Sequence, residues 1–362
     1  MSRIRVLVVD DSALMRKLVS DIVARDPEME VVGLAANGRI ALQKIPQVNP
    51  DVITLDIEMP EMDGLAAMRA IHAAYPKVKV IMCSTLTERG AQATLEALGH
   101  GAVDYVTKPS RSSSVQESMD RLSDDLLPKI RAHTGRLVLF AKPVGPVRRA
   151  AKPVLAKSTS LKIVCIGSST GGPNALADVF GTFRPGFPLP IVIVQHMPPV
   201  FTAMLAQRLN KLNCGLIFHE GSDGMAVEAG HAYIAPGGRH MEVRTQRGQV
   251  VVRLHDAPPE SSCRPAVDVL FRSVAEEFSG HALAVVLTGM GSDGCRGVEK
   301  LGALGARVLA QDEKTSVVWG MPGAIARAGL ADEIVPLPQI GSRIQDLVQR
   351  HSVLATRALR AA

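Results

Sequence analysis

The sequence predicts two α/β domains, each built on a parallel sheet with helices on both faces. Short β-branched and aliphatic runs alternate with segments of helical period between Ile4 and Thr107, and again from Ile163 to about Pro336. Strands that are apolar throughout, rather than alternating, belong in a sheet covered on both faces, and such sheets are parallel with helical crossovers. The stretch between these regions has neither period. At about 150 residues per domain, a chain of 362 residues allows two or three domains.

In the first region Ile4–Val9, Val31–Leu34, Val52–Leu55, Val78–Met82 and Asp104–Thr107 read as strands, with helices at Leu14–Ala24, Ile40–Ile45, Leu65–His72 and Ala91–Leu98 between them. This is a doubly wound (βα)5 pattern. In the second region the strands are Ile163–Ile166, Ile191–Val194, Leu283–Leu287 and Arg307–Leu309. Helices follow Gly172 and lie around Ala203–Leu209, Pro265–Phe278, Gly294–Leu304 and Gly323–Ala328. Strands near Tyr233 and at Val250–Leu254 read as an antiparallel excursion from a mainly parallel sheet.

Between the regions, Leu126 to Ser160 contains Pro128, Pro143, Pro146 and Pro153, eight basic residues and no acidic one. It reads as a tether. The expected boundaries are a first domain at 3–121, a basic proline-containing linker at 122–158 and a second domain at 159–350. The net charge of +6 is explained by the tether, because the rest of the chain has two more acidic than basic residues. With that excess localised, and with 3% aromatic residues and no helix-turn-helix pattern, nucleic acid is not an expected partner.

The apolar run Ile4–Val9 stops at Asp10 and Asp11, too short for a signal-peptide core, and no stretch approaches the ~20 apolar residues of a membrane span. A cytoplasmic chain without membrane insertion is expected. The five cysteines lack metal-binding or disulfide-framework spacing and read as buried, reduced thiols.

In doubly wound sheets, ligands bind beyond the carboxyl ends of the strands. There the first domain offers Asp10 and Asp11 after strand one, Asp56 at the end of strand three, Ser84 after strand four and Lys108 after strand five. Three carboxylates at one rim repel unless a hard cation holds them, and Mg2+ suits carboxylate and phosphate oxygens. Such a rim can carry a phosphoryl group on one carboxylate, with Asp56 the central candidate and Lys108 offsetting charge. Any one of these acids can also serve as a helix cap.

VVDDS at Val8–Ser12, TLDIEMPEMDGL at Thr54–Leu65 and VTKPS at Val106–Ser110 resemble the receiver domain of bacterial two-component response regulators, a flavodoxin-like fold. The resemblance implies phosphorylation of Asp56 by a histidine kinase. It also implies Mg2+ held by Asp10, Asp11, Asp56 and the carbonyl of Glu58, with Ser84 and Lys108 reading the phosphoryl group.

In the second region Gly167-Ser168-Ser169-Thr170-Gly171 fits G-x-S-x-G on a strand-to-helix turn, which exposes a serine oxygen beside helix amides. A Gly- and Ser-rich turn can also cradle a phosphate. His196 follows the strand Ile191–Val194 and Asp293 follows Leu283–Leu287, so serine, imidazole and carboxylate fall at one rim. That is a nucleophile, a base and an orienting anion. His219, His231, His240, His255 and His281 are rival bases, His240 foremost, and Asp293 can instead cap the next helix. The Gly289–Gly291 turn can present the Met290 amide to an oxyanion.

IGSSTGGP, VQHM, IAPGGRHM, RPAVDVLF, LTGMGSDG and WGMPGAI resemble the catalytic domain of chemotaxis-type protein-glutamate methylesterases, so that with the receiver motifs the resemblance spans both domains. It implies Ser169 as nucleophile, His196 as base and Asp293 as its partner, with the Met290 backbone aiding the oxyanion and no cofactor for the esterase step. It further implies hydrolysis of glutamate γ-methyl esters on methyl-accepting chemoreceptors, deamidation of selected glutamines, and a chemotaxis histidine kinase as phosphodonor. Fusion of the two domains implies activation by phosphorylation. The alternative is a response regulator whose output domain binds a ligand or nucleotide without catalysis. Cys165, Cys263 and Cys295 stand beside the motifs, and Cys165 and Cys295 read as packing residues.

Overall fold

The computed structural model describes residues 2–109, 115–135 and 160–361. The chain divides into two compact units, Met1–Val138 and Leu139–Ala362.

The first unit runs β1 (Ile4–Val9), α1 (Ala13–Ala24), β2 (Met29–Ala35), α2 (Gly38–Val48), β3 (Val52–Asp56), α3 (Gly64–Ala74), β4 (Lys79–Ser84), α4 (Glu88–Gly99), β5 (Asp104–Thr107) and α5 (Val115–His133). Its five strands are parallel in the order β2-β1-β3-β4-β5. The inner strands β1, β3 and β4 are the continuous aliphatic runs, and nearly all their residues are buried. Each of the first four helices begins on a short polar side chain that accepts a backbone amide hydrogen bond. These are Ser12 from Met15, Asn37 from Ile40, Asp63 from Ala66 and Thr87 from Gly90. The chain order reverses between β1 and β3, so the crevice opens where Asp10 and Asp56 stand.

The tether does not begin at residue 122, nor at Leu126. Helix α5 continues to His133 and buries Leu122, Leu126 and Ile130 in the core of the first unit, one residue per helical turn. Pro128 lies inside it, where proline composition alone suggested a break. Two of the basic residues counted in the tether belong to this helix. Lys129 pairs with Asp125 at 2.7 Å, and Arg131 pairs with Asp26 at 2.5 Å. The rest of the expected linker, residues 136–158, and Ser110 of the VTKPS motif lie outside the described residues.

The second unit runs β6 (Ile163–Ser168), α6 (Gly172–Gly181), β7 (Ile191–Gln195), α7 (Phe201–Asn210), β8 (Ile217–Glu220), β9 (His231–Ile234), β10 (His240–Gln246), β11 (Gln249–His255), α8 (Val267–Phe278), β12 (Ala282–Val286), α9 (Cys295–Ala303), β13 (Arg307–Gln311), α10 (Met321–Arg327), β14 (Glu333–Val335) and α11 (Leu337–Ala361). Seven strands form a parallel sheet in the order β14-β13-β12-β6-β7-β9-β8. Of the two segments expected to be antiparallel, Val250–Leu254 is, within β11 of the hairpin β10-β11, whereas Tyr233 lies in β9, parallel to both neighbours. Helix α11 carries the unit past the expected end at residue 350. The central strands β12, β6 and β7 are wholly buried. Here the order reverses between β6 and β12, and the segments after those two strands carry Ser169 and Asp293.

If α5 is part of the first unit, Leu126→Ala leaves a cavity there and lowers that unit's unfolding free energy by about 2–5 kcal/mol. Urea unfolding of the full chain checks this, and an unchanged first transition would contradict it.

Candidate functional site

At the rim of the first sheet, side-chain oxygens of Asp10, Asp11 and Asp56 lie within 4.8 Å of one another. Asp10 and Asp56 are buried, and the Lys108 ammonium bridges them at 2.7 Å to each. Both acids are also fixed by local amides, Asp10 by that of Ser12 at 2.9 Å and Asp56 by that of Ile57 at 2.7 Å. Burial pushes the Asp56 carboxyl up, against the pull of Lys108. Burial would lower Lys108, but its bonds to Asp10 and Asp56 outweigh that and hold its pKa up. Gly64 is dictated by this rim, since a Cβ there would stand 2.0 Å from the Asp56 carbonyl oxygen.

Ser84 is fully buried at the end of β4, one step beyond Cys83, the register partner of Asp56. Its carbonyl accepts from the Lys108 amide at 2.7 Å, which ties the two expected phosphoryl-reading residues together. The Glu58 side chain turns toward Arg89 at 3.8 Å and takes no part in the carboxylate cluster. The donor set is all oxygen, with a strongly held cation beside it, and suits a hard ion such as Mg2+.

At the rim of the second sheet, Ser169 sits in the turn between β6 and α6. Its amide donates to the Thr288 carbonyl at 3.0 Å, and its carbonyl accepts from the Gly172 amide at 2.7 Å. Gln195, at the end of the neighbouring strand, clamps this turn. It accepts from the Ser168 hydroxyl at 2.7 Å and donates through its amide group to the Ser169 carbonyl at 2.9 Å. The clamp is why residue 172 is glycine: a Cβ there would meet the Gln195 oxygen at 1.9 Å. The His196 amide donates to the Ser168 carbonyl at 3.1 Å, so the imidazole starts from a backbone already tied to the serine turn.

His196 Nε2 lies 2.9 Å from Asp293 Oδ2. A carboxylate only accepts, so the neutral ring carries its proton on Nε2 and leaves Nδ1 as the basic nitrogen. Asp293 is buried and also accepts from the amides of Val267 at 2.7 Å, Asp268 at 2.9 Å and Gly294 at 2.9 Å. It therefore caps α8 and not the next helix, which the sequence suggested: α9 starts on Gly294 without a side-chain cap. Burial would raise its pKa, but the bond to His196 and these amides prevail and lower it.

The rival histidines are engaged elsewhere. Both nitrogens of the buried His240 serve the backbone, one toward the Pro258 carbonyl at 3.1 Å and one accepting from the Ala266 amide at 3.2 Å. His219 and His231 bond each other at 2.8 Å, His255 accepts from the Ala257 amide at 3.3 Å, and His281 bonds Ser160 at 2.9 Å.

Among the described residues the Met290 amide has no hydrogen-bond acceptor, and neither has the amide of Thr170. Thr170 is the residue after the serine, the usual second donor to an oxyanion on such a turn, and the sequence reading did not single it out. Gln195 was missed as well. Its only signal was a polar residue closing an otherwise aliphatic strand. Cys263 lies 3.5 Å from His196 Nδ1 and, like Cys295, is only half-buried; Cys83, Cys165 and Cys214 are buried.

A family model described as CheB methylesterase matches residues 164–344, and one described as response regulator receiver domain matches residues 6–120. A protein named protein-glutamate methylesterase/protein-glutamine glutaminase from a Nocardioides species is 48% identical, with 99% of this chain and 100% of that protein covered. One of the same name from Trichodesmium erythraeum is 47% identical, with 95% of this chain and 99% of that protein covered. The crystal structure of the Thermotoga maritima CheB methylesterase catalytic domain is similar at a TM-score of 0.51 and 43% identity, covering 52% of this chain and 100% of that one. Among the described residues no helix is long and apolar enough to cross a membrane.

Burial would lower the His196 pKa, yet the hydrogen bonds to Asp293 and Cys263 outweigh it and hold it up at about 9. A pKa raised on folding adds stability that is complete below the unfolded value of about 6.5. That stability is lost as pH rises through about 9. Nuclear magnetic resonance titration of the ring is expected to show a midpoint well above 6.5, and Asp293→Asn is expected to lower it. A wild-type midpoint at the ordinary value would contradict the assignment.

Proposed function

The chain belongs to the CheB methylesterase family, with a response regulator receiver domain ahead of the methylesterase domain, and from that premise we propose that it hydrolyses glutamate γ-methyl esters on chemoreceptors under control of phosphorylation at Asp56. The observation that carries the reading is the pairing of His196 with a saturated, buried Asp293, on a backbone tied to the Ser169 turn.

Ser169 Oγ attacks the γ-carbonyl carbon while His196 Nδ1 takes its proton, and the Asp293 carboxylate stabilises the resulting imidazolium through Nε2. The amides of Met290 and Thr170 receive the charge that develops on the carbonyl oxygen. His196 then returns the proton to the methoxy group, which leaves as methanol, and a glutamyl ester remains on Ser169. Water, deprotonated by the same nitrogen, cleaves that ester and restores the serine with a glutamate carboxylate as product. With a glutamine substrate the leaving group is ammonia and the sequence of steps is unchanged, which accounts for deamidation.

In the receiver domain, the Asp56 carboxylate accepts the phosphoryl group from a chemotaxis histidine kinase. Lys108 neutralises charge on the transferred oxygens, and Ser84 reads the phosphorylated state. Asp10, Asp11 and Asp56, with the Glu58 carbonyl, would hold Mg2+, which when bound supplies further neutralisation during transfer. The esterase steps use only the groups named above.

Two outcomes test this reading. Ser169→Ala is expected to reduce methanol release from methylated receptor by at least about 10³-fold while the protein stays folded; turnover at the wild-type rate would overturn it. A small acyl-phosphate donor with Mg2+ is expected to raise wild-type release and to leave Asp56→Asn at its basal rate. Equal stimulation of both would remove Asp56 from the regulation.

A further inference from the structure

Cys263 closes a two-residue turn at Ser261 and Ser262. Glu260 and Cys263 exchange backbone hydrogen bonds at 3.1 and 2.8 Å, and Ser261 and Ser262 both have positive φ, 52° and 62°. That is the geometry of a tight hairpin loop, which serines adopt only where the surroundings hold it. Here the Glu260 carboxylate is gripped by both terminal nitrogens of the Arg272 guanidinium, at 2.9 and 2.5 Å. The turn thus presents the Cys263 sulfur in a fixed place, 3.5 Å from His196 Nδ1.

That separation has a chemical meaning. Tetrahedral Zn2+ binds thiolate at about 2.3 Å and imidazole at about 2.0 Å, which puts the two donor atoms about 3.5 Å apart. The other ring nitrogen of His196 donates to Asp293 at 2.9 Å, and Asp293 is fixed by three backbone amides. A carboxylate behind the ligating histidine is the arrangement that orients the ring and raises its basicity in metal sites. Ligand atoms of His196, Cys263 and Asp293 all lie within 4.8 Å of one another, and His196, whose side chain is 12% exposed, and Cys263 both reach solvent, which can complete the coordination. Thiolate with imidazole selects a soft or borderline ion, whereas the all-oxygen cluster at Asp10, Asp11 and Asp56 selects a hard one.

We propose that His196 Nδ1 and Cys263 Sγ form a Zn2+ site, with Asp293 as its supporting carboxylate and water in the remaining positions. On binding, the Cys263 thiol releases its proton to solvent and the Zn–S and Zn–N bonds form, with no change of oxidation state. Because the metal takes the nitrogen that must accept the Ser169 proton, occupancy switches the esterase off. This second part rests on the reading of His196 as the base.

The test uses the full chain with excess Mg2+ to occupy the receiver cluster. Co2+ is added first as a spectroscopic probe, and Zn2+ is then titrated against both the Co2+ signal and methanol release. The site predicts a thiolate-to-Co2+ charge-transfer band that Zn2+ removes and that Cys263→Ala and Cys263→Ser both lack. It also predicts at least about a 100-fold loss of wild-type methanol release at Zn2+ saturation. Release by the two variants, each compared with its own metal-free rate, is expected to persist. Absence of the band, or its survival in both variants, overturns the site whatever Ser169→Ala shows. A band lost in both variants, with wild-type release untouched by saturating Zn2+, supports the site and overturns His196 as the base.

Discussion

The catalytic half of this protein depends on one carboxylate. Asp293 accepts from His196 Nε2 and from the amides of Val267, Asp268 and Gly294, so a single buried anion caps α8, closes the loop after β12 and sets the imidazole. An ionised group at 2% exposure is tolerable only when its acceptor sites are filled, and here they are. The consequence reaches His196. With Nε2 committed, its proton-accepting nitrogen is Nδ1, the reverse of the arrangement in which the orienting aspartate holds Nδ1.

The two domains apply one geometric rule to different chemistry. In each sheet the site lies where strand order reverses, between β1 and β3 in the first and between β6 and β12 in the second. The first crevice gathers carboxylates around Lys108 and suits phosphoryl transfer. The second gathers hydroxyl, imidazole and thiol around a shielded carboxylate and suits acyl transfer. Glycine in each case lets backbone or side chain pass where a Cβ would collide, Gly64 against the Asp56 carbonyl and Gly172 against Gln195.

Residues at strand ends were legible in the sequence because apolar runs in a parallel sheet have definite carboxyl ends: Asp56 and Ser84 end their strands, and Asp10, Lys108, Ser169 and His196 follow theirs directly. Partners that come from afar were not legible. Asp293 was recognisable as a cap, but the helix it caps begins 26 residues earlier in the chain. Cys263 reaches His196 across 67 residues, through a turn that spacing rules do not describe. Gln195 carries no motif, and its clamp on the serine turn exists only once β6 and β7 pair. Edge strands β8 and β14 are short and partly exposed, and so lacked the apolar run that revealed the inner strands. Helix α5 was not legible, because Pro128 and the one-signed basic residues outweighed the stripe of Leu122, Leu126 and Ile130.

Through its bond to Nε2, Asp293 sets the tautomer of His196 and leaves Nδ1 as the proton-accepting nitrogen. Nitrogen-15 spectra of the histidine-labelled chain, with the His196 ring identified by its loss in His196→Gln and observed in its neutral form, test this directly. A protonated Nε2 and a bare, pyridine-like Nδ1 are expected. A neutral ring protonated on Nδ1 would contradict it, because the proton would then sit on the nitrogen that has to receive the one from Ser169.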